Sequence, residues 1–373
     1  MDFGAFRAEK LTGHESMRGM VGLQFLLAGM GVVILFSASW YFARSVFDDP
    51  FRIWRRQLVW MILGTVSALV LARVPKDWIR KSVPILVWMA FALNLATYVP
   101  FLGYSSGGAR RWIEVAGLTF QPSEFTRVVV VLYLARMMEK NEDRLDDFRH
   151  SQLPPLLVVG ILVFSVYFQN DFSTAAYLFL VALSLFFAAG VSWRNILIFI
   201  GGIGVSGGLM LAAKPYRLQR LYSWFNPLQD PSGAGYQLLR ARSALELGGF
   251  WGQGLGRGTI KQGGLPAAHS DFVVAVLGEE AGFIGVAVVL VAFTLFALKG
   301  WVAAGKAPDT FSRLGIFGLV GAVYWQALVN FAVVSGVLPA TGIPLPLFSA
   351  GGSAAFTTLV IFGLIANLAE GIR

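Results

Sequence analysis

The sequence predicts an all-α polytopic membrane protein with about ten transmembrane helices in a single domain, residues 1–373. Composition is the first observation behind this fold class: 56% of the 373 residues are hydrophobic, 14% are charged, and the mean hydropathy is +0.65. A soluble domain carries about 25% charged residues. The second observation is that uncharged stretches recur along the chain, each long enough for a helix to cross about 30 Å of hydrocarbon.

The predicted spans follow these uncharged stretches in order. Val21–Phe42 contains no charge over 22 residues, and residues 152–170, 172–193 and 195–213 are equally free of charge. The first span is too long for a secretory signal peptide and lacks a small-residue cleavage site, so we expect it to be retained. The ten predicted spans are 20–42, 57–73, 83–102, 124–138, 153–169, 172–190, 194–213, 272–298, 314–336 and 347–369.

The last uncharged stretch, Leu314–Ala369, has 56 residues and therefore contains two spans. Irregular backbone at membrane depth is tolerated only where protein or a water-filled cavity surrounds it, so the connection between these spans is a candidate functional segment. Proline and glycine residues predict that this connection is non-helical: Pro339, Gly342, Pro344, Pro346, Gly351 and Gly352.

The distribution of Lys and Arg favours a cytoplasmic location for both termini. With ten spans and the N-terminus inside, the inside segments hold 16 Lys and Arg and the outside segments hold 13. Seven of those 13 lie in one segment, 214–271, and long loops count for little in the positive-inside rule. Without that segment the ratio is 16 to 6, which supports the orientation.

The segment 214–271, between spans 7 and 8, is then a large extracytoplasmic basic loop. Cations there serve no purpose in topology, so they are candidates for binding anionic headgroups, a pyrophosphate or a partner's acidic surface. Ordinary solvation of an exposed loop is the alternative interpretation. The seven cations are Lys214, Arg217, Arg220, Arg240, Arg242, Arg257 and Lys261.

Composition and motif context exclude several function classes. The chain has no cysteine, and its three histidines lie on different predicted loops, so we expect no Cys- or His-based metal cluster. Gly300–Lys306 lacks the Ser/Thr and the preceding strand of a P-loop. Gly252–Gly256 lacks the strand–turn–helix context of a dinucleotide fingerprint. We therefore expect no organic cofactor, no ATP-driven pump and no nucleic-acid partner.

Carboxylates at or inside the membrane boundary are the natural functional candidates in so apolar a chain. Glu124 and Arg127 are three residues apart at the start of span 4, so they share a helix face and can form an ion pair. A structural or coupling role for this pair competes with direct chemistry. Asp171 lies at a tight turn between spans 5 and 6, where capping of a helix explains it as well as function does.

Asp271 is the favoured catalytic residue. It lies where the basic loop meets span 8, at an outer membrane mouth beside cations. Partial desolvation there raises the pKa of a carboxyl toward working pH, which suits a general base. A helix N-cap is the competing interpretation. Pairing with Glu279 or Glu280 is not expected, because eight or nine residues along a helix span about 12–13 Å, whereas glycosidase carboxylates lie roughly 5–10 Å apart.

Three ordered groups of residues resemble the signatures of the SEDS family (shape, elongation, division and sporulation proteins), which includes FtsW and RodA. The first is Gly108–Ile113 followed by Phe120–Glu124 and Arg127. The second is Gly254–Gly256, Leu265–Pro266, His269–Phe272 and Gly278–Gly285. The third comprises Asn330, Pro339, Thr341–Pro346 and Ser349–Ser353. The resemblance runs nearly end to end, and residues 268–272 favour the FtsW branch over RodA, although Gly258–Thr259 is more similar to RodA.

The resemblance implies a peptidoglycan glycosyltransferase that polymerises lipid II during cell division or elongation, with undecaprenyl pyrophosphate as leaving group. It implies a class B penicillin-binding protein as transpeptidase partner, other divisome or elongasome proteins, dependence on Mg²⁺ or another divalent cation, and a location in the cytoplasmic membrane at the division septum. The family's essential aspartate corresponds to Asp271. Pyrophosphate or substrate binding is expected of Arg110, Arg111, Lys261, His269 and Ser270, and structural or coupling roles of Glu124, Arg127, Asp171, Pro339, Thr341, Gly342, Ser349, Gly351, Gly352 and Ser353.

The chain departs from the family pattern at several positions without touching Asp271. These positions are Gly107, Arg127, Asn170, Ser173, Ala267 and Ala350. Two other classes fit the same topology: a lipid II flippase, and a non-catalytic scaffold of the division machinery. A flippase needs polar groups along a path across the bilayer, whereas a polymerase collects its chemistry at the outer mouth.

Overall fold

The computed structural model describes residues 13–106, 109–115, 117–212, 215–230 and 233–372. Gly107, Gly108, Lys214 and the terminal residue 373 lie outside the described residues. Within them the chain forms twelve α-helices: α1 Gly13–Phe47, α2 Arg52–Leu71, α3 Lys76–Ala96, α4 Pro122–Lys140, α5 Leu153–Phe168, α6 Phe172–Ala188, α7 Trp193–Ala212, α8 Pro215–Phe225, α9 Ala234–Gly248, α10 Val273–Gly305, α11 Thr310–Val334 and α12 Gly352–Leu368.

Each of the ten predicted spans coincides with one of these helices. Six helices are long and apolar enough to cross a membrane by length and composition alone, namely α1, α3, α5, α7, α10 and α11, and α6 and α12 are shorter apolar helices. The remaining two, α2 and α4, have 20 and 19 residues and carry charges at their ends. The chain is therefore a multi-pass membrane protein, as the sequence predicts.

Two of the predicted spans extend beyond their helices into turns that lack charge. Span 3 was expected to reach residue 102, but α3 ends at Ala96, because Pro100 cannot continue a helix and Phe101 has a φ of +73°. Span 10 was expected to begin at residue 347, but α12 begins only at Gly352. Leu347 has a φ of +68°, so the preceding residues belong to the loop.

A small antiparallel sheet, which the sequence analysis did not predict, follows α3. Its strands β1 Gly103–Ser106, β2 Ala109–Val115 and β3 Leu118–Phe120 pair in the order β1-β2-β3. The sheet packs against α4 and α12 at the end of the bundle where Asp271 lies. The sheet places Arg110 and Arg111 of β2 near the N-terminus of α4.

The basic loop between α7 and α10 contains two helices, which the sequence analysis did not predict. It contains α8 and α9, joined by a short 3₁₀ turn at Pro227–Gln229. Asp230 organises this turn by accepting hydrogen bonds from the Ser223 hydroxyl at 2.6 Å and from the amides of Gly233 and Gly235.

The centre of the bundle is formed by α4 and α11. Val128–Leu132 of α4 are all buried, so this helix is apolar around its whole circumference and must be enclosed by its neighbours. It packs against α3, α6 and α11.

Helix α2 packs closely on α12, and two glycines of α12 allow this approach. A β-carbon at Gly352 would lie 2.0 Å from Trp60, and one at Gly363 would lie 2.4 Å from the Ala68 carbonyl oxygen.

Candidate active site at the ends of α4, α6, α10 and α11

Hydrogen bonds join the residues before α10 to the proline-rich loop 337–351 at one end of the bundle. Asn330 of α11 donates from its amide nitrogen to the carbonyl oxygens of Asp271, at 3.0 Å, and Ile343, at 2.8 Å. The Ser349 hydroxyl donates to the Ser270 carbonyl and accepts from the Leu345 amide. The segment before α10 and the proline-rich loop 337–351 therefore form one structural unit, which fixes the backbone at Asp271.

Asp271 is partly buried beneath this unit. The backbone of Gly342, with a φ of +75°, lies against the carboxylate: a β-carbon there would stand 3.5 Å from Asp271 Oδ2. Burial raises the pKa of the Asp271 carboxyl above its ordinary value near 3.8, although the positive charges of Arg111 and Arg220 oppose the rise. The negative charge of Asp171 adds to it. A carboxylate in this state is a stronger proton acceptor than an exposed one.

A second carboxylate, Asp171, lies beside the first and has an arginine partner. Its side chain is 3% exposed, and Arg111 Nη1 approaches Asp171 Oδ2 to 3.3 Å. Gln121 donates to the same oxygen at 3.2 Å. The other oxygen accepts from the Thr174 amide at 3.2 Å, so Asp171 also caps α6. Asp171 therefore caps α6, as one of the two interpretations of the sequence predicts, and it also pairs with Arg111, while its role in function stays a prediction.

The two arginines of β2 have different surroundings because side chains alternate across a strand. Arg111 faces Asp171 and Asp271, while Arg110 is exposed and lies near Tyr98. Arg220 of α8 is the second cation whose charge acts on Asp271. The sequence placed Arg220 among seven loop cations without distinguishing it, because only the packing of α8 decides which of them faces the carboxylate.

Glu124 and Arg127 form the predicted ion pair at the start of α4. Arg127 Nη2 lies 2.9 Å from Glu124 Oε2, and the guanidinium is 2% exposed. Arg127 also donates to the side chain of Gln326 on α11, whose amide nitrogen donates to the Pro344 carbonyl at 2.9 Å. The pair therefore connects α4 with the loop that covers Asp271. A cavity of about 20 Å³, which exceeds the roughly 10–15 Å³ that one water needs, adjoins these residues.

Lys261 lies in a buried ion pair. Its ammonium group pairs with Glu280 and donates to the Ser37 hydroxyl of α1 at 2.6 Å, and its side chain is 6% exposed. The Lys261 ammonium group is therefore paired with a carboxylate in this structure, and its expected role in binding pyrophosphate stays a prediction. Glu279 is also buried, and it accepts hydrogen bonds from the backbone amides of Thr259 and Ile260.

His269 and Ser270 precede Asp271 and pack against α1 and the proline-rich loop. The imidazole of His269 lies on the Phe42 ring, with centroids 4.4 Å apart, and burial lowers its pKa to about 4. Its ring is therefore neutral at neutral pH. Its carbonyl accepts from the Ala350 amide at 2.7 Å. The Ser270 hydroxyl donates to the Ala267 carbonyl at 3.3 Å.

The remaining predicted residues shape the covering loop and its exit into α12. Thr341 accepts from the Ile343 amide at 3.4 Å, and Gln57 of α2 donates to the Ser349 carbonyl at 3.2 Å. Gly351 precedes α12, Gly352 begins it, and Ser353 is buried in its first turn. Pro339 is partly buried at the start of the loop.

A ready-made metal site is not found in the part of the chain that the structure describes. No group of three or more His, Cys, Asp or Glu side chains converges there. Mg²⁺ commonly takes one or two carboxylates and completes its coordination with substrate phosphates and water. A divalent cation would therefore depend on oxygens brought by the substrate, and its participation stays a prediction.

Comparison with known proteins gives matches along nearly the whole chain. A family model described as "Cell cycle protein", built on FtsW, RodA and SpoVE, matches residues 18–373. The chain is 37% identical over 366 residues to a probable peptidoglycan glycosyltransferase FtsW of Geobacter sp. (strain M18), covering 98% of this chain and 99% of the relative. It is 32% identical to the stage V sporulation protein E of Bacillus subtilis (strain 168), covering 95% and 97%.

Solved structures share the fold. One belongs to a study of the structural coordination of polymerization and crosslinking by a peptidoglycan synthase complex, with a TM-score of 0.79, 26% identity, and coverage of 95% of this chain and 97% of that chain. Another is the crystal structure of the rod shape determining protein RodA of Thermus thermophilus, with a TM-score of 0.69, 25% identity and the same coverage.

Proposed function

This chain belongs to the family of FtsW, RodA and SpoVE and is a peptidoglycan glycosyltransferase, and we propose that it polymerises lipid II with Asp271 as general base. The observation that carries the proposal is the environment of Asp271. Burial raises the pKa of this carboxyl while Arg111 and Arg220 lie close enough to act on it, so a proton acceptor and two cations share one site. Glycosyl transfer from a diphosphate donor needs both.

The proposed reaction begins with the acceptor sugar, whose hydroxyl is a poor nucleophile at neutral pH. Asp271 takes the hydroxyl proton as the oxygen attacks the anomeric carbon of the lipid-linked donor. The bond from that carbon to the pyrophosphate oxygen breaks, and undecaprenyl pyrophosphate leaves with the bonding electrons. Its growing negative charge is stabilised by Arg111 and Arg220, with Arg110 at the exposed edge of the sheet.

The proposal assigns different tasks to the other predicted residues. Lys261 belongs to a buried ion pair and is not included among the pyrophosphate ligands. His269 is neutral and supports the proline-rich loop through its carbonyl. Asp171 holds Arg111 in place through their contact at 3.3 Å. Glu124 and Arg127 couple α4 to the loop that covers the site.

We further propose the orientation, location and partner that this chemistry needs. Lipid-linked sugars are used on the outer face, so the end of the bundle that holds Asp271 faces outward and both termini face the cytoplasm. The membrane is then the cytoplasmic one, and the FtsW relatives favour the division septum. A class B penicillin-binding protein is the proposed crosslinking partner. The related synthase complex, which coordinates polymerization and crosslinking, supports this pairing.

The direct test is polymerisation of fluorescent lipid II by the purified chain, with and without its penicillin-binding protein and with Mg²⁺ present or chelated. We expect glycan strands and release of undecaprenyl pyrophosphate, at a higher rate with the partner and with Mg²⁺. Movement of lipid II across vesicle membranes without any polymer would favour a flippase. A complex that neither polymerises nor moves lipid II would favour a scaffold.

The pH dependence of the rate follows from the state of Asp271. Only the deprotonated carboxylate accepts a proton, so the rate falls as the pH drops through the pKa of the folded protein. Because burial raises that pKa above 3.8, we expect the acid limb of kcat/KM to lie above the ordinary aspartate range. Initial polymerisation rates between pH 4 and 9 measure it, and a rate independent of pH down to pH 4 would contradict the assignment.

A further inference from the structure

The helix that follows Asp271 is broken, and a second segment of the chain joins its two parts. Gly282 of α10 has φ +66° and ψ −168°, which interrupts the helix between 273–281 and 283–305. In a continuous helix the amides of residues 283 and 284 would donate to the carbonyls of residues 279 and 280. All four groups bond instead to the segment 249–254: Gln253 N to Glu279 O at 2.9 Å, Gly254 N to Glu280 O at 2.9 Å, Phe283 N to Gly249 O at 2.9 Å and Ile284 N to Phe250 O at 3.3 Å.

Glycines let this segment touch the helix backbone directly. A β-carbon at Gly252 would lie 2.2 Å from the Glu280 carbonyl oxygen, and one at Gly248 would lie 1.9 Å from that of Gly278. A β-carbon at Gly282 itself would lie 2.4 Å from the Gly252 amide. No side chain fits at these positions without moving the backbone, so the break is built into the packing of both segments.

The Glu280 carboxylate holds three separate parts of the chain together. Its oxygens accept from the Ser37 hydroxyl of α1 at 2.7 and 2.9 Å and from the Gly256 amide at 3.0 Å. Lys261 completes the set with its ammonium group. Glu280 is 1% exposed, so these partners stabilise its charge in place of water.

Glu279 holds the same loop through a second set of contacts. Its carboxylate accepts from the Thr259 amide at 2.6 Å, the Thr259 hydroxyl at 2.9 Å and the Ile260 amide at 3.2 Å. Glu279 is 0% exposed. Two fully buried carboxylates are costly to maintain, and the glycosyl transfer described above uses neither of them.

We propose that Glu279 and Glu280 are positioning residues for Asp271, an inference that rests on the proposed role of Asp271 as base. The short helical part 273–281 begins two residues after Asp271, and the break at Gly282 frees it from the rest of α10. The two carboxylates fix its far end to α1 and to residues 256–261. They lie about 12–13 Å along the helix from Asp271, so they act through its position and not by touching the substrate.

The test compares Glu280→Gln with the double variant Glu280→Gln/Lys261→Met in the purified complex with its partner. A displacement of about 1 Å at a catalytic group costs on the order of 100-fold in rate. We expect kcat to fall by about ten- to 100-fold in Glu280→Gln, with KM for lipid II within about threefold of wild type. The double variant removes the unpaired Lys261 charge and should regain part of the folded yield without regaining kcat.

The pH profile separates positioning from simple loss of structure. Arg111, Arg220, Asp171 and the Ser270 hydroxyl act on Asp271, and burial dominates the rise of its pKa. Displacement toward water lowers that pKa, so the acid limb of the Glu280→Gln variant should move to lower pH. The matched control is Asp309→Asn, which breaks ion pairs to Lys76 and Arg80 at the opposite end of α11 and should leave the limb unchanged.

A measurement that does not depend on polymerisation tests the role of Glu280 separately from the role of Asp271 as base. The chain contains no cysteine, so a single Ser270→Cys substitution reports exposure beside Asp271 through its alkylation rate. We expect that rate to rise several-fold when Glu280→Gln is added. Unchanged alkylation, or a kcat within twofold of wild type, would overturn the positioning role. Full activity of Asp271→Asn would instead overturn the base assignment, while the alkylation rates would still decide the role of Glu280.

Discussion

Asp271→Asn is expected to lower the rate of lipid II polymerisation by about 10³-fold, within the 10²–10⁴-fold range of general base catalysis. Asparagine has nearly the same shape but cannot accept the proton of the acceptor hydroxyl. The Asn330 side chain bonds to the main-chain carbonyl of residue 271 and not to the carboxylate, so the backbone there should stay in place. Steady-state rates with fluorescent lipid II measure the loss.

The control for this substitution is Asp309→Asn. Asp309 is also a partly buried carboxylate, but it caps α11 and pairs with Lys76 and Arg80 at the end of that helix opposite to Asn330. We expect its replacement to leave the rate within about threefold of wild type. The residual activity of Asp271→Asn should also lack the acid limb, because the group that titrates is gone. Wild-type polymerisation by Asp271→Asn would show that another group accepts the proton.

The ten spans could be predicted from the sequence, and so could the choice of Asp271 as the favoured carboxylate. Uncharged stretches predicted ten helices, because the membrane imposes a length and an apolar composition on every crossing. Asp271 stood out because it joins a basic segment to an apolar helix. The ion pair of Glu124 and Arg127 was also predictable, since residues three apart share a helix face.

The features that could not be predicted from the sequence depend on contacts between segments that are distant along the chain. Arg220 acts on Asp271 whereas Lys261 pairs with Glu280, yet both are cations of one basic segment, and only the packing of that segment decides the partner of each. The three strands before α4 were not predicted, because each has only three to seven residues and so short a segment shows no clear alternation of polar and apolar side chains. The break in α10 is visible only through the partners of its freed backbone groups, because an isolated glycine in a helix pattern has no single meaning.

Arg127→Met is expected to lower the free energy of unfolding by about 3–5 kcal/mol, the cost of removing one member of a buried ion pair. Glu124 would keep a carboxylate with 10% of its side chain exposed and no cation beside it. The double variant Glu124→Gln/Arg127→Met removes both charges and should recover most of that loss. Denaturant titration in micelles of wild type, Arg127→Met, Glu124→Gln and the double variant, followed by the fluorescence of the 11 tryptophans, gives the four free energies of a double-mutant cycle.

Activity distinguishes coupling from stability in the same four proteins. Arg127 donates to Gln326, which in turn donates to the Pro344 carbonyl of the loop that places Gly342 against Asp271. If the pair only stabilises the bundle, the double variant should polymerise lipid II at the wild-type rate once it is folded. We expect it to remain at least tenfold slower, because Gln326 has lost the donor that orients it. Recovery of the full rate together with stability would confine Glu124 and Arg127 to a structural role.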